Sequence, residues 1–235
     1  MPNATLSPVL AEPARRKITL DEFHGMRQAG IFAEHDRVEL RDGELWDSCP
    51  SHAPSRVKLT AEQYYELGET GVFDEDDRME LLDGELYEMM APGRWHEGGV
   101  NALTMGFAGG GGGQRVVSVQ NSVHLAIRSA PQPDVVVLQF RADYYRSRHA
   151  EPADVLLVVE VADTSMRHDR VRKLPLYAEA GVAEVWIVTR RPAAIEVYRS
   201  PIEGRYTVQR TYLPGETICA EAIPEVVIAV SDVTG

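Results

Sequence analysis

Residues 154–188 read DVLLVVEVADTSMRHDRVRKLPLYAEAGVAEVWIV, and the order of patterns within them decides the fold class. Two short apolar runs, 154–161 and 182–188, have the length and β-branched content of strands buried on both faces. Between them, residues 165–180 carry a helical pattern, in which Pro175 is expected to kink the helix or mark a new start. Strand, helix, strand implies a crossover helix lying on one face of a sheet. Upstream, PDVVVL (133–138) is a further buried strand, and VVSVQNSVHLAI (116–127) reads as one or two strands. Downstream, AIEVYRS (194–200) and YTVQRTYL (206–213) read as an edge hairpin. The expected fold is α/β in the broad sense and α+β in detail, a mixed sheet flanked by helices.

The first half of the chain is organised differently. Residues 1–16, rich in Pro and Ala, show no period and read as a flexible tail. Then a segment repeats at an offset of 41 residues: 18–46, ITLDEFHGMRQAGIFAEHDRVELRDGELW, and 59–87, LTAEQYYELGETGVFDEDDRMELLDGELY, share about 12 of 29 positions without a gap. Thr19 with Glu22, and Thr60 with Gln63, have capping-box spacing at a helix start. Gly30 and Gly71 suit helix ends. Asp42-Gly43 and Asp83-Gly84 sit between alternating segments, a hairpin signal. A helix–hairpin unit is thus expected twice, with 47–57 as a linker. Residues 96–108 read as a weak helix interrupted by Gly98, Gly99 and Gly106. The glycine run 109–113 lacks phosphate-loop spacing and reads as a flexible connection. The expected division is 1–16 tail, 17–57 first unit and linker, and 58–235 main domain.

The 235 residues are 44% hydrophobic and 26% charged, with a net charge of −12. This composition is ordinary for a globular protein. The charge counts against a protein that coats nucleic acid with a broad basic surface. A nuclease remains open, because a bound metal ion and a local basic patch can hold a phosphodiester on an acidic protein. No stretch approaches the roughly 18–20 apolar residues of a membrane helix. The N-terminus has no signal-peptide core, and two cysteines make neither a disulfide framework nor a zinc cluster. A cytoplasmic protein with reduced thiols is expected.

Glu160 is the sole charge in VLLVVEV. Burying it unpartnered costs several kcal/mol, so a metal, a Lys or Arg, or a raised pKa should compensate. The plain alternative is that it lies at the strand end and meets solvent. Asp134, after Pro133, begins the preceding strand. If the two strands are neighbours, the carboxylates converge at one end of the sheet, and hard cations such as Mg²⁺ are held by one or two carboxylates. On the helix, Asp169, Lys173 and Tyr177 are spaced i, i+4, i+8 and share a face. Lys173 can orient water or stabilise charge there, or form a surface pair with Asp169.

The runs PDVVV and VVEVADTSMRHDRVRKLPLYAEAGVAEVWIV, preceded by RMELLDGELYEMMAPGRWH and followed by IPEVVIAVSDV, resemble the bacterial putative restriction endonuclease family of the PD-(D/E)XK nuclease superfamily. The likeness spans roughly residues 58–232. It implies a restriction-endonuclease-like fold in which Asp134 and Glu160 bind Mg²⁺ (Mn²⁺ as a substitute) and a lysine assists the attacking water. The usual lysine position, two residues after Glu160, is Ala162. The resembled family places its lysine on the following helix, and Lys173 matches that position. Glu80 matches an N-terminal acidic position and is a third candidate ligand, against the alternative of an exposed hairpin glutamate. His96, Asp169 and Tyr177 are candidates for substrate or outer contacts, with capping or packing as the alternative for His96. No HExxH, HxH or G-x-S-x-G pattern is present.

Three functions follow. The first is a Mg²⁺-dependent endonuclease acting on nucleic acid, DNA being the expected target. The second is a non-catalytic nuclease-fold protein that binds a partner. In the third, the first repeat copy forms a homodimer interface and the chain is an assembly scaffold. That copy retains Glu39, Asp42, Gly43 and Glu44 but has no site downstream, and is expected to pack on the main domain or on a second subunit.

Overall fold

The computed structural model describes residues 13–74, 76–109, 115–163 and 165–235. Most of the expected N-terminal tail and most of the glycine run lie outside the described residues.

Each repeated segment begins with a helix. α1 (Leu20–Gln28) carries the Thr19–Glu22 capping box. After α1 come β1 (Val38–Arg41) and β2 (Glu44–Asp47), paired antiparallel. Between them Asp42 and Gly43 both have positive φ, 49° and 74°, the backbone of a tight primed turn. The expected linker contributes a short third strand, β3 (Ser55–Arg56), which pairs with β2. α2 (Ala61–Thr70) carries the Thr60–Gln63 box and ends at Gly71 in the left-handed conformation. β4 (Met79–Leu82) and β5 (Glu85–Glu88) form the second hairpin. Phe23, Met26 and Leu45 from the first segment share one apolar core with Leu59, Leu67, Leu81 and Leu86. The first unit therefore packs on its counterpart within the chain.

α3 (Arg94–Gly109) is longer and better formed than its glycines suggest. A Cβ on Gly99 would lie 3.2 Å from Val161 Cγ1 and 3.3 Å from the Val233 carbonyl oxygen; one on Gly106 would run into Ile228 Cδ1. Gly99 thus lets the helix closely approach the strand that carries Val161 and the short helix that carries Val233, and Gly106 lets it approach the separate hairpin that carries Ile228.

The sheet follows: β6 (Arg115–Val119), β7 (Val135–Gln139) and β8 (Val155–Ala162). Only the first part of 116–127 is a strand. The crossover begins as α4 (Met166–His168), widens into a π-helical turn over Asp169–Lys173, and continues as α5 (Leu174–Glu179). The wide turn ends two residues before Pro175, which sits in the first turn of α5, where its missing N–H costs no helical hydrogen bond. β9 (Glu184–Arg190), β10 (Ala193–Ile202) and β11 (Arg205–Tyr212) complete a six-stranded sheet of order β11-β10-β9-β8-β7-β6. The β8–β9 pair is parallel and all others are antiparallel. β12 (Thr217–Ala220) and β13 (Ile223–Ala229) form a separate hairpin that leads into α6 (Val230–Thr234).

Alternation along β8 feeds two cores. Leu157, Val159 and Val161 pack against Val100, Leu103 and Phe107 of α3 and against Val230 and Val233 of α6. Val158 and Ala162 face the other side, with Tyr177, Val185 and Ile187. Glu160 lies between Val158 and Ala162 on that second face. Among the described residues, no helix is long and apolar enough to cross a membrane.

Candidate active site

The antiparallel register pairs Val135 with Val159, and one step beyond it stand Asp134 and Glu160. Asp134 is held by its neighbouring strand: Oδ2 accepts the Val161 N–H at 2.8 Å. Its Oδ1 lies 2.9 Å from His96 Nε2 and 3.4 Å from the Gln120 side-chain amide. Glu160 is 2% exposed, so it does not reach solvent at a strand end. Its Oε1 accepts from the Tyr177 hydroxyl at 2.6 Å and from Lys173 Nζ at 2.7 Å. Lys173 and Tyr177 come from the crossover helix, one on each side of Pro175. Lys173 is itself buried and also lies 3.2 Å from Glu80 Oε2 and 3.4 Å from the Gln132 carbonyl oxygen.

Glu80 is buried, contrary to the exposed-hairpin alternative. It accepts from the Gln132 N–H at 3.2 Å and lies 3.0 Å from His168 Nε2. Its counterpart in the first segment, Glu39, instead pairs with Arg41 on the surface. Asp169 is buried as well and accepts from the Ser165 hydroxyl at 2.6 Å, which removes the surface-pair alternative for Asp169 and Lys173. Glu80, His96, Asp134, Glu160, His168, Asp169 and Lys173 line a cavity of about 270 Å³ together with Arg78, Gln120, Gln132, Asp163 and Ser165. Sequence reasoning did not find His168, Gln120 or Gln132. His168 sits five residues before Lys173, and neither it nor the glutamines falls in a ligand spacing.

The electrostatics are those of an acidic cavity short of positive charge. Burial pushes the Glu160 carboxyl well above its usual range; Lys173 opposes this, while Asp169, Asp134 and Glu80 reinforce it. Asp169 is pushed up to about 6, chiefly by burial. Burial also acts against ionisation of Asp134, but His96 and Lys173 outweigh it and hold this carboxyl below the usual range. Glu80 behaves likewise, through Lys173 and His168. Burial disfavours the Lys173 ammonium, yet Glu160, Glu80, Asp169 and Asp134 together keep it charged. For His96 burial again opposes charge, and Asp134 outweighs it, raising the imidazole above its usual value. Four buried carboxylates thus surround one ammonium, and two of them are driven toward retaining a proton.

This donor set suits a hard divalent cation: carboxylate oxygens, an excess of negative charge, and a cationic nitrogen already seated between Glu80 and Glu160. Among the described residues, no three His, Cys, Asp or Glu side chains form a preassembled metal cage. The Lys173 ammonium occupies the middle of the acids. A metal held by Asp134 and Glu160 therefore requires Lys173 to share or yield that place.

A mixed sheet flanked by helices, with acids at adjoining strand ends and a lysine from the crossover helix, is a restriction-endonuclease-like fold. Residues 61–231 match the family described as "Putative restriction endonuclease" (Uma2), and the chain belongs to that family. A nuclease described as putative, of the DUF820 family from Anabaena variabilis, superposes with a TM-score of 0.60 at 11% identity, covering 75% of this chain and 97% of that one. At that identity the likeness speaks for the fold alone. No curated protein matches the chain.

Proposed function

We propose that the protein is a divalent-metal-dependent endonuclease that hydrolyses phosphodiester bonds of DNA. The observation that carries this reading is the buried acidic cluster of Asp134, Glu160 and Glu80, contacted by a lysine from the crossover helix and open to a cavity. Asp134 and Glu160 would hold Mg²⁺ or Mn²⁺, with Glu80 as a third ligand. When bound, such an ion supplies charge stabilisation at the scissile phosphate and acidifies a water. Lys173 offers an N–H⁺ donor beside Glu160, suited to orienting the attacking water or stabilising negative charge on the phosphoryl oxygens. Tyr177 fixes the Glu160 carboxylate by its 2.6 Å hydrogen bond. The Val161 N–H fixes Asp134. His96, on the other Asp134 oxygen, orients that carboxylate and places a ring at the cavity wall.

The same reading assigns the activity to residues 58–235, with 17–57 packed against them as a support. The unpaired Cys49 and Cys219 are consistent with the reducing cytoplasm. A nicking assay on supercoiled plasmid, single-stranded DNA and RNA tests the proposal. Cleavage should require Mg²⁺ or Mn²⁺, stop with EDTA, and disappear in Asp134→Ala and Glu160→Ala. Cleavage unchanged in either variant rules out this site.

One observation favours a second reading, a non-catalytic binding module: Lys173 already neutralises part of the acidic cluster. Calorimetric titration separates the two. Mn²⁺ binding that is lost in Glu160→Gln supports the nuclease, and absence of divalent binding by the native protein supports the module.

A further inference from the structure

A second cavity, of about 690 Å³, adjoins the acidic one, and Gln132 lines both. Gln132 acts as the party wall. Its N–H and carbonyl contact Glu80 and Lys173, while its side-chain amide donates to the Tyr64 hydroxyl at 2.9 Å and the Met79 carbonyl at 2.8 Å on the far side. Along β4 the alternation does the same: Met79 lines the second cavity and Glu80 the acidic one.

The second cavity has aromatic walls. The Tyr65 and His149 rings stack at 3.6 Å with 10° between their planes. Burial lowers the His149 pKa, so this ring is a neutral π-surface near pH 7. Tyr144 and Tyr145, on the loop that closes the rim, both hold left-handed backbone, φ 51° and 61°. Side chains rarely adopt that conformation, and strain of this kind persists only where other contacts fix it. Here the fixing contacts belong to Tyr145. Its ring lies 5.3 Å from the Arg141 guanidinium and 5.7 Å from that of Arg148, and its hydroxyl donates to the Gln139 carbonyl at 2.8 Å. The result is that the neighbouring Tyr144 ring stands at the rim, 59% exposed, edge-to-face with Phe140, itself 48% exposed. Holding two large rings in water serves no core. The cavity also presents the polar edges of Ser118 and Asn121.

We propose that this cavity is a base-binding subsite, taking an unpaired nucleobase of the strand whose phosphate lies at the acidic site. The proposal rests on the nuclease reading above and narrows its substrate to single-stranded or locally unpaired DNA. A base has what the cavity matches: two flat π-faces and a hydrogen-bonding edge. A phosphate does not fit, because Glu69, Asp74 and Asp77 line the same space and repel an anion while tolerating a neutral ring. A base still paired in a duplex keeps its faces stacked on its neighbours and cannot enter without being turned out.

The test uses the full chain in Ca²⁺, to suppress cleavage, with a single-stranded DNA 12-mer carrying 2-aminopurine and the matching duplex. Binding is read by anisotropy and stacking by 2-aminopurine quenching. Tyr144→Asn removes the ring while keeping a residue that accepts left-handed backbone, and His149→Ala removes an exposed one. The single strand should bind more tightly than the duplex and be quenched, and the double variant should bind it about tenfold more weakly without quenching. Tyr144→Phe should retain both signals. Equal affinity for both DNAs with no quenching, or quenching unchanged in the double variant, overturns the subsite. The nuclease reading fails separately. If the native protein cuts none of the substrates with Mg²⁺ or Mn²⁺ yet quenches the probe through Tyr144, the base subsite stands without it. If it cuts duplex plasmid and the double variant cuts it equally, with no quenching, the nuclease reading stands without the base subsite.

Discussion

At the residue scale the site is a problem of charge. Glu160 stood out in the sequence because a lone carboxylate in an apolar strand needs a partner, whereas Asp134 was an ordinary strand-start aspartate that gained its place only from its pairing with Glu160 and from the family resemblance. Lys173 was legible only as one side of an ambiguous helical pair, and the fold resolves it by burying that face. Glu80 was not legible from local pattern, since Glu39 sits in nearly the same sequence and lies on the surface. The family resemblance singled out Glu80, and the packing of the second hairpin against the crossover helix is the physical difference between the two. Because Lys173 is the ammonium that balances these acids, Lys173→Met should destabilise the metal-free protein by about 3–5 kcal/mol by leaving buried carboxylates uncompensated. Urea denaturation would show this, and saturating Mg²⁺ should recover part of the loss. Glu160→Gln should behave in the opposite way. The Glu160 carboxyl is already driven toward its neutral form, so the amide should leave stability within about 1 kcal/mol of native or raise it. Cleavage should nevertheless fall by more than about a hundredfold, because a neutral amide is a poor ligand for a hard cation.

At the element scale, the strands and the crossover helix followed directly from apolar runs and spacing. Two features did not. The π-helical turn over Asp169–Lys173 shifts the helix register just before Pro175. Pro175 falls in the first turn of α5, which is the new helix start expected as one alternative, but no local pattern announces the wide turn ahead of it. The helix α3 looked weak because a propensity scale counts each glycine as a loss, whereas close packing against β8 and α6 makes Gly99 a requirement. Neighbouring substitutions separate the two roles. Gly98 has nothing within 4 Å of an added Cβ, so Gly98→Ala should raise stability by up to about 1 kcal/mol. Gly99→Ala drives a Cβ against Val161 and the fixed Val233 carbonyl, and should lower stability by about 1–3 kcal/mol. Thermal melts of the two variants should therefore move in opposite directions.

At the scale of the whole molecule, the second hairpin, α3, the sheet and the crossover helix together line an acidic cavity. Its stability should depend on pH in a way that reveals the excess charge. Raised carboxyl pKa values mean that the folded state binds more protons than the unfolded chain between the unfolded value, about 4, and the folded value, about 6 for Asp169 and well above normal for Glu160. Stability therefore falls as pH rises through that window. Asp134 and Glu80 are shifted the other way, and their contribution is lost only below about pH 4. The metal-free protein should melt at a lower temperature at pH 8 than at pH 5. Mg²⁺ should raise the melting temperature more at pH 8, where the raised carboxyls retain less of their protons. A Mg²⁺ effect independent of pH would contradict this electrostatic account.

Everything proposed for the site rests on Asp134 and Glu160 forming a divalent-metal site served by Lys173. The most direct measurement is a crystal structure with Mn²⁺, the ion placed by its anomalous signal. A peak is expected at the Asp134 and Glu160 carboxylates, with Lys173 Nζ displaced from its 2.7 Å contact with Glu160. A map with no peak there, and Lys173 still seated among the acids at millimolar Mn²⁺, would contradict it.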